Sequence, residues 1–303
     1  MRGCTGAVLE ARGLWKVYRA TVALRDVNAC VGEGLTIVVG PNGSGKSTLL
    51  SVAMGLAKPT RGTVRVLGVD SARGGARLRG MASYSPDPPS LPPFSRVIDL
   101  VGQAASMGTL DPDLFEEYSA RLGLEEHLRK RVRELSSGFR KKVSLAMALS
   151  RGSKAVFLDE PFANLDWSSI RRVAEIIAEA RRRGASVVIA THIVPPGLAS
   201  PENIIALIAG TAVLSGDILE AADKIGSLMV EIERPQPGLV AKLASRGYWI
   251  EHRRDTLLVR GLGLEEAREI AGAEGGQVKP DIETIMRKVI EGEVPQPPAT
   301  AAG

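Results

Sequence analysis

Residues 35–48 read LTIVVGPNGSGKST, and this stretch decides the fold class. Its first five residues are apolar and predict a buried strand that runs directly into a glycine loop. Because Gly40, Gly43 and Gly45 have no Cβ atom, the backbone can curl and bring its N–H groups close to phosphate oxygens. A helix that begins near Lys46 points its positive dipole end at the same anion. The stretch therefore predicts a strand, a phosphate-binding loop and a helix.

The side chains of this loop indicate a nucleotide bound together with a magnesium ion. Lys46 supplies a mobile positive charge for the phosphates, and Ser47 offers a hydroxyl group to Mg²⁺. The predicted nucleotide-binding residues are Gly40, Pro41, Asn42, Gly43, Ser44, Gly45, Lys46, Ser47 and Thr48.

The composition is that of a globular protein with more than one domain. The chain has 303 residues, of which 44% are hydrophobic. This length and this apolar content are enough to bury the cores of one full domain and one small domain. No apolar segment reaches the length of about 20 residues that spans a bilayer, and the first residues do not form a secretion signal. We therefore expect a soluble chain in the cytosol. Cys4 and Cys30 lack the CxxC spacing of a zinc site, so we expect both to be free thiols.

The net charge of +5 allows an acidic partner without identifying one. Basic residues cluster at 129–131, 140–142 and 181–183, but no aromatic residues are interleaved among them to stack on bases. We interpret these clusters as solvated helix faces and expect no nucleic-acid partner.

Short apolar segments at the start of the chain predict strands. Alternating apolar residues at 7–17 and 23–31 predict an N-terminal β region, and further strands are predicted at 62–69 and 81–85.

The middle of the chain predicts a helical insert followed by a return to strands. Prolines at 86–93 exclude regular structure there, and from 97 to 150 the apolar spacing becomes helical. Apolar strands at 155–158 and 186–190 then flank a predicted helix at 168–183. This alternation is typical of a parallel sheet with helices on its faces.

Two adjacent carboxylates end the predicted strand at 155–158. Asp159 stands where nucleotide hydrolases place the acid that holds magnesium. Glu160 follows it and is available to orient or deprotonate an attacking water as a general base.

Residues 135–139, LSSGF, precede a helical run. Ser136 is a suitable N-cap, which would leave the next N–H groups exposed to an anion. Taken alone, the segment indicates only a helix start.

The order of these motifs carries more information than any one of them. GPNGSGKST (40–48), LSSGF (135–139), VFLDEP (156–161), ANLD (163–166) and TH (191–192) follow one another along the chain. The series resembles the ATP-binding-cassette (ABC) ATPases, motif for motif and in order.

The resemblance implies ATP and Mg²⁺ as cofactors and assigns roles to single residues. The implied residues are Asp159 for magnesium, Glu160 as catalytic base, Ser136 and Gly138 of the signature motif, the D-loop acid Asp166, the switch histidine His192, and Tyr18 stacked on adenine. Trp15 is the alternative to Tyr18.

The chain departs from the family pattern at several positions. Asp87 stands where the family has a glutamine that reaches magnesium and water, and a carboxylate there can still ligate the ion. In the signature motif, Ser137 replaces a glycine and Phe139 replaces a glutamine. Prolines at 195, 196 and 201 exclude the helix that often follows the histidine.

The resemblance also implies partners. Two cassettes close head to tail, so that Ser136 and Gly138 of one copy cap ATP held by a second copy or a paralogous cassette. Motion is passed to a separate transmembrane permease subunit, which would place this chain peripherally on the inner face of the cell membrane. The alternative hypothesis is a soluble ABC ATPase of iron-sulfur assembly, repair or regulatory type that is not attached to a transporter. We favour the transporter subunit.

The predicted organisation is an α/β P-loop NTPase core with an N-terminal antiparallel β region and a helical insert, plus a small C-terminal α+β domain. We place the ATPase domain at 1–220 with its helical subdomain at about 88–153, the accessory domain at 221–292 and a disordered tail at 293–303. Residues 280–286 are similar to the helix start that ends many cassettes of ABC-2 type drug and lipid exporters, which favours export.

Overall fold

The structure, a computed structural model, describes residues 6–195, 197–236 and 238–294. In chain order its strands are β1 (Leu9–Tyr18), β2 (Thr21–Val31), β3 (Leu35–Val39), β4 (Arg61–Val66), β5 (Val69–Asp70), β6 (Ala82–Ser85), β7 (Ala155–Asp159), β8 (Ser186–Ala190), β9 (Asn203–Ile208), β10 (Thr211–Asp217), β11 (Leu228–Glu233), β12 (Trp249–Arg253), β13 (Thr256–Leu262) and β14 (Gln277–Pro280). Its α-helices are α1 (Lys46–Ala53), α2 (Gly75–Met81), α3 (Val97–Ser106), α4 (Pro112–Leu122), α5 (Ser137–Leu149), α6 (Trp167–Arg182), α7 (Ile218–Lys224), α8 (Leu239–Ala244), α9 (Leu264–Glu274) and α10 (Ile282–Glu291).

The central sheet has the strand order β10-β9-β3-β8-β7-β6. Five of its strands run parallel, and β10 pairs antiparallel with β9 at one edge. Every residue of β3, β7 and β8 is buried, as expected for parallel strands covered on both faces. The parallel sheet predicted from the apolar segments is confirmed.

Alternate residues of β7 face two different cores, because side chains of a strand point to opposite faces. Phe157 packs in the core shared with α1 and the antiparallel sheet, whereas Val156 and Leu158 pack in the core shared with helices α4 to α6. The sheet is thus covered by α1 and the antiparallel sheet on one side and by helices α4 to α6 on the other.

The N-terminal β region is an antiparallel sheet of order β2-β1-β4-β5. Leu9 pairs with Val31 of β2 and with Val66 of β4. This confirms the predicted antiparallel region, with the predicted strand at 62–69 divided into β4 and β5.

The helical insert contains α3, α4 and α5. Asp111 caps α4 by accepting hydrogen bonds from the N–H groups of Asp113 and Leu114 at 3.0 and 3.1 Å. Buried apolar residues of these helices share a core with α6, so the insert is packed against the parallel sheet.

Residues 228–280 form a third, antiparallel sheet of order β12-β13-β11-β14. Together with α8 and α9 it makes a β-α-β-β-α-β unit. Helix α10 then returns to the central sheet, where Ile285, Met286 and Val289 share a core with Ile37 and Ile204. Helix α7 spans the predicted domain boundary at 220, which stays a prediction.

Two sequence expectations are wrong. Lys141, interpreted as part of a solvated basic face, is 1% exposed. Cys30, expected as a free thiol, is disulfide-bonded, and Cys4 lies outside the described residues. Most of the predicted disordered tail, residues 295–303, also lies outside them. No helix within 6–195, 197–236 or 238–294 has the length and apolar character to cross a membrane.

Candidate functional site

Three neighbouring parallel strands end at one edge of the central sheet. Because these strands lie in the order β3-β8-β7, the segments that follow them lie side by side. They are the glycine loop after β3, Thr191 and His192 after β8, and Glu160 after β7. Because ligands of open parallel sheets bind at the carboxyl ends of the strands, this edge is the candidate site.

The glycine loop leaves β3 through backbone conformations that require glycine. Gly40 (φ +152°) and Gly45 (φ +102°) both have positive φ. A Cβ atom at Gly40 would lie 2.1 Å from the carbonyl oxygen of Leu207, and one at Gly45 would lie 2.6 Å from that of Ala23. Neither position accepts a side chain, so the loop keeps a shape in which its N–H groups can face a phosphate.

Lys46 begins α1 and folds its side chain over the loop. Its Nζ donates to the carbonyl oxygens of Gly40 at 2.8 Å and Pro41 at 3.2 Å. Burial lowers the pKa of Lys46, and the carboxylates of Glu160 and Asp159 oppose that shift. The ammonium group therefore lies inside the loop and within the field of both carboxylates.

The hydroxyl group of Ser44 supports the fit of a phosphate to this loop. Ser44 is 2% exposed, and its Oγ has no hydrogen-bond partner in the described part of the chain. A buried hydroxyl costs free energy unless something bonds to it. A phosphate held by the loop would supply that partner.

Asp159 ends β7 and contacts two hydroxyl groups. Ser47 Oγ donates to its Oδ1 at 3.1 Å, and the Tyr84 hydroxyl donates to its Oδ2 at 3.4 Å. Burial raises the pKa of Asp159, which is 1% exposed. Mg²⁺ is usually held by one or two protein oxygens together with phosphate oxygens and water, so Ser47 and Asp159 fit this ion.

A metal site made only of protein side chains is not found in the described residues. They contain no group of three or more His, Cys, Asp and Glu side chains that could hold a metal. The phosphates of a bound nucleotide would therefore have to supply the remaining ligands.

Glu160 contacts two residues that follow β8. Its Oε2 lies 2.9 Å from His192 Nδ1 and accepts a hydrogen bond from Thr191 Oγ1 at 3.3 Å. The backbone N–H of Glu160 donates to the carbonyl oxygen of Ala190 at 2.8 Å, and the φ angle of Glu160 is +44°. The carboxylate is thus held beside an imidazole at the edge where the glycine loop lies, which suits a group that accepts a proton from water.

Asp87 lies in the loop after β6 and is paired with a lysine. Its Oδ1 accepts a hydrogen bond from Lys141 Nζ at 2.6 Å, and the same ammonium donates to the carbonyl oxygen of Asp159 at 3.1 Å. The role expected for Asp87 as a magnesium ligand stays a prediction.

The signature residues lie at the start of α5. Ser136 is its N-cap, as predicted, and its Oγ accepts a hydrogen bond from the N–H of Phe139 at 3.3 Å. A Cβ atom at Gly138 would lie 2.8 Å from the carbonyl oxygen of Asn164, so the signature lies against the loop at 163–166.

Asp166 is the N-cap of α6. Its carboxylate accepts hydrogen bonds from the backbone N–H and the hydroxyl of Ser169 at 2.8 Å, and these lower its pKa. Among the hydrogen bonds and ion pairs of the described residues, none joins Ser136, Gly138 or Asp166 to the glycine loop.

Tyr18 is at the tip of the β1–β2 hairpin. It is 44% exposed, and Lys16 Nζ lies 4.5 Å from the centre of its ring. The same hairpin reaches the glycine loop through the contact of Ala23 with Gly45. Trp15, the alternative residue, is half-buried and pairs with Arg61 of β4.

Sequence reasoning missed Tyr84, Thr191 and Lys141 as residues of this site. Thr191 belongs to the motif at 191–192 and Tyr84 to the strand predicted at 81–85, so both could have been included by position. Lys141 has no such signal, because nothing in a run of three basic residues tells which one is buried.

The family comparison agrees with this geometry. A family model described as ABC transporter matches residues 24–163. The ATP-binding protein of a lipopolysaccharide export system from Acidithiobacillus ferridurans is 31% identical over 71% of this chain and 92% of the relative. The ATP-binding protein of a manganese transport system from Synechocystis is 34% identical over 57% of this chain and 70% of the relative.

A solved structure has the same fold. It is described as the ATP-binding subunit of an ABC transporter, and it matches with a TM-score of 0.63 and 27% identity over 70% of this chain and 91% of that chain. The glycine loop, the carboxylates after β7 and these similarities lead to one conclusion: the chain belongs to the ABC transporter ATP-binding family and is an ATPase.

Proposed function

We propose that this chain is the ATP-hydrolysing subunit of a membrane transporter, with Glu160 as the general base. The observation that carries the proposal is the pair formed by Glu160 Oε2 and His192 Nδ1, 2.9 Å apart at the edge that bears the glycine loop. In this proposal Glu160 accepts a proton from the attacking water, and His192 orients the carboxylate and contacts the terminal phosphate.

The remaining residues bind and orient the nucleotide. The backbone of 40–48 and Lys46 hold the phosphates, and Tyr18 stacks on adenine. Ser47 and Asp159 would hold Mg²⁺, which when bound neutralises charge on the phosphates. Since Ser47 Oγ and Asp159 Oδ1 already lie 3.1 Å apart, the chain needs no large rearrangement to offer both oxygens to the ion.

We further propose that a second copy, or a paralogous cassette, completes the site. Ser136, Gly138 and Asp166 form no bond to the glycine loop of their own copy in the described residues. The start of α5 offers N–H groups to an anion, which suits contact with the phosphates of ATP on the other copy. The resulting dimer is head to tail.

The docking surface for a separate transmembrane subunit is proposed to lie between the parallel sheet and the helical insert. A cavity of about 170 Å³ there is lined by Tyr84, Leu91 and Met147, among others. Phe94, which precedes α3, and Met107, which ends it, are large apolar residues that are 69% and 68% exposed. Binding at this surface would hold the chain on the inner face of the membrane.

Export is the proposed direction of transport. It is supported by the relative of the lipopolysaccharide export system and by the likeness of residues 280–286 to exporters of the ABC-2 type.

A crosslinking experiment tests the transporter role. Photoreactive benzoylphenylalanine is placed at Phe94, and the matched control carries it at Trp249, which is 56% exposed on the third sheet. Each purified chain is irradiated with membranes of the source organism. An adduct with an integral membrane protein from position 94, and not from position 249, is expected. Adducts with soluble proteins only would contradict the transporter role and favour a soluble ABC ATPase.

A further inference from the structure

Lys141 is a buried cation beside the candidate site that the proposed roles do not use. It belongs to α5, and only 1% of its side chain is exposed. Lysines are almost never fully buried without a partner, since burying an unpaired charge costs free energy. The groups that surround its ammonium therefore show what it holds.

The ammonium of Lys141 joins three segments of the chain. It donates to Asp87 Oδ1 at 2.6 Å in the loop after β6, and to the carbonyl oxygen of Asp159 at 3.1 Å at the end of β7. The helix that follows the signature motif is thereby tied to the strand end that bears the two carboxylates.

The bond to Asp159 acts on a single peptide group. The carbonyl of Asp159 and the N–H of Glu160 belong to the same planar unit. Lys141 holds its carbonyl, and the carbonyl of Ala190 in β8 accepts its N–H at 2.8 Å. Both ends of the unit are fixed, and the side chains of Asp159 and Glu160 extend from either side of it.

We propose that Lys141 is a positioning residue for ATP hydrolysis, which fixes the Asp159–Glu160 peptide, and that Asp87 acts through Lys141 as its counter-charge. A charge-assisted bond of 2.6 Å to a buried cation compensates the cost of burying it. This role for Asp87 differs from the magnesium ligand that its place in the sequence predicts. The inference rests on the proposed role of Glu160 in hydrolysis.

The test compares Lys141→Met, Asp87→Ala and the double variant with the wild-type chain. Lys242→Met is the matched control. Lys242 lies on α8, 61% of its side chain is exposed, and its Nζ lies 3.8 Å from Oε1 of Glu274, so it has a carboxylate partner but is not buried. For each protein kcat, the KM for ATP and the Mg²⁺ concentration at half-maximal rate are measured.

The expected result is a loss in kcat alone. Misplacing a reacting group by about 1 Å costs up to about 100-fold in rate, so we expect kcat of Lys141→Met and of Asp87→Ala to fall by about 10- to 100-fold. The KM and the Mg²⁺ midpoint stay within about threefold of wild type. The double variant is no slower than the slower single variant, because both substitutions break one interaction.

A second readout does not depend on hydrolysis. Hydrogen–deuterium exchange of the nucleotide-free chain is followed in peptides that cover 157–162. Lys141→Met is expected to raise exchange there, and Lys242→Met is not. If Lys141→Met does not fold, Asp87→Ala decides by the same measurements.

The outcomes separate the two roles of Asp87. A Mg²⁺ midpoint raised more than about tenfold in Asp87→Ala, and not in Lys141→Met, would make Asp87 a metal ligand and overturn the proposal. A kcat near that of wild type, or effects of the two substitutions that multiply in the double variant, would also overturn it. If the wild-type chain hydrolyses no ATP, the proposed function fails, and the exchange measurement still tests the positioning of the Asp159–Glu160 peptide.

Discussion

The Nδ1 atom of His192 lies 2.9 Å from Oε2 of Glu160, where two neighbouring parallel strands end. The two residues are 32 positions apart in sequence and meet because Asp159 pairs with Ala190 in the sheet. The register of β7 and β8 therefore sets the distance between the carboxylate and the imidazole. The proposed general base, Glu160, depends on this pair for its orientation.

Glu160→Gln should abolish hydrolysis and preserve nucleotide binding. Glutamine keeps the shape and the hydrogen-bonding capacity of the side chain but cannot accept the proton, so we expect kcat to fall by at least about 100-fold. Phosphate release measures turnover, and equilibrium titration measures ATP affinity. Glu175→Gln, on the exposed side of α6, is the control and should behave as wild type. Turnover near the wild-type rate in Glu160→Gln would show that another group is the base.

His192→Ala should slow hydrolysis less than Glu160→Gln does. The substitution removes one partner of the Glu160 carboxylate, and Thr191 still donates to it at 3.3 Å. We expect kcat to fall about tenfold or more. The double variant with Glu160→Gln should be no slower than Glu160→Gln alone, since both act on one step. Equal activity of His192→Ala and wild type would contradict the role given to the imidazole.

Much of the core was predictable because its signals are local. The strands β3, β7 and β8 each have four apolar residues out of five, and α1 begins at Lys46 directly after the glycine loop. The N-cap Ser136 was also predictable, because a side chain that caps its own helix needs no distant partner.

What escaped prediction depends on tertiary packing. Helix α2 has two glycines and two arginines among its seven residues and no apolar face, and only Leu78 of it is buried. Strands β9 and β10 were not predicted, and a turn at Ala209 and Gly210 separates them. The ammonium of Lys141 is buried with two distant partners, Asp87, which is 54 residues away, and the carbonyl oxygen of Asp159.

Helix α10 should stabilise the central sheet through one face. Ile285 is fully buried against it, whereas Ile290 on the same helix is 49% exposed. Ile285→Ala is expected to lower the free energy of unfolding by about 2–5 kcal/mol, because it leaves a cavity. Ile290→Ala should lower it by less than about 1 kcal/mol. Urea unfolding of both variants measures the difference, and equal losses would contradict the packing of α10.

Tyr118 should make stability fall at high pH. Burial raises its pKa to about 12 from an ordinary value of 10.0. The unfolded chain therefore loses this proton first, so the contribution is complete below pH 10 and is lost as the pH rises towards 12. A shift of this size amounts to about 2–3 kcal/mol.

Tyr118→Phe is the matched variant for that measurement. The Tyr118 hydroxyl has no hydrogen-bond partner in the described residues, so at pH 8 we expect the variant to be as stable as wild type or slightly more stable. Between pH 10 and 12 the wild type should lose more stability than the variant. Parallel pH profiles of the two unfolding free energies would show that this tyrosine does not contribute.

In the proposed dimer, one copy holds ATP and a second copy completes the site. Lys46→Ala disables the glycine loop, and Gly138→Asp disables the signature, where a Cβ atom alone would lie 2.8 Å from Asn164. Each variant alone should be inactive. A mixed dimer contains one site that combines an intact glycine loop with an intact signature.

The measurement is the ATPase rate of an equal mixture of the two variants. If half of the dimers are mixed and each has one working site, the mixture should reach about a quarter of the wild-type rate. A rate no higher than the sum of the two variants measured separately, under conditions in which the wild type hydrolyses ATP, would contradict a site shared between two copies.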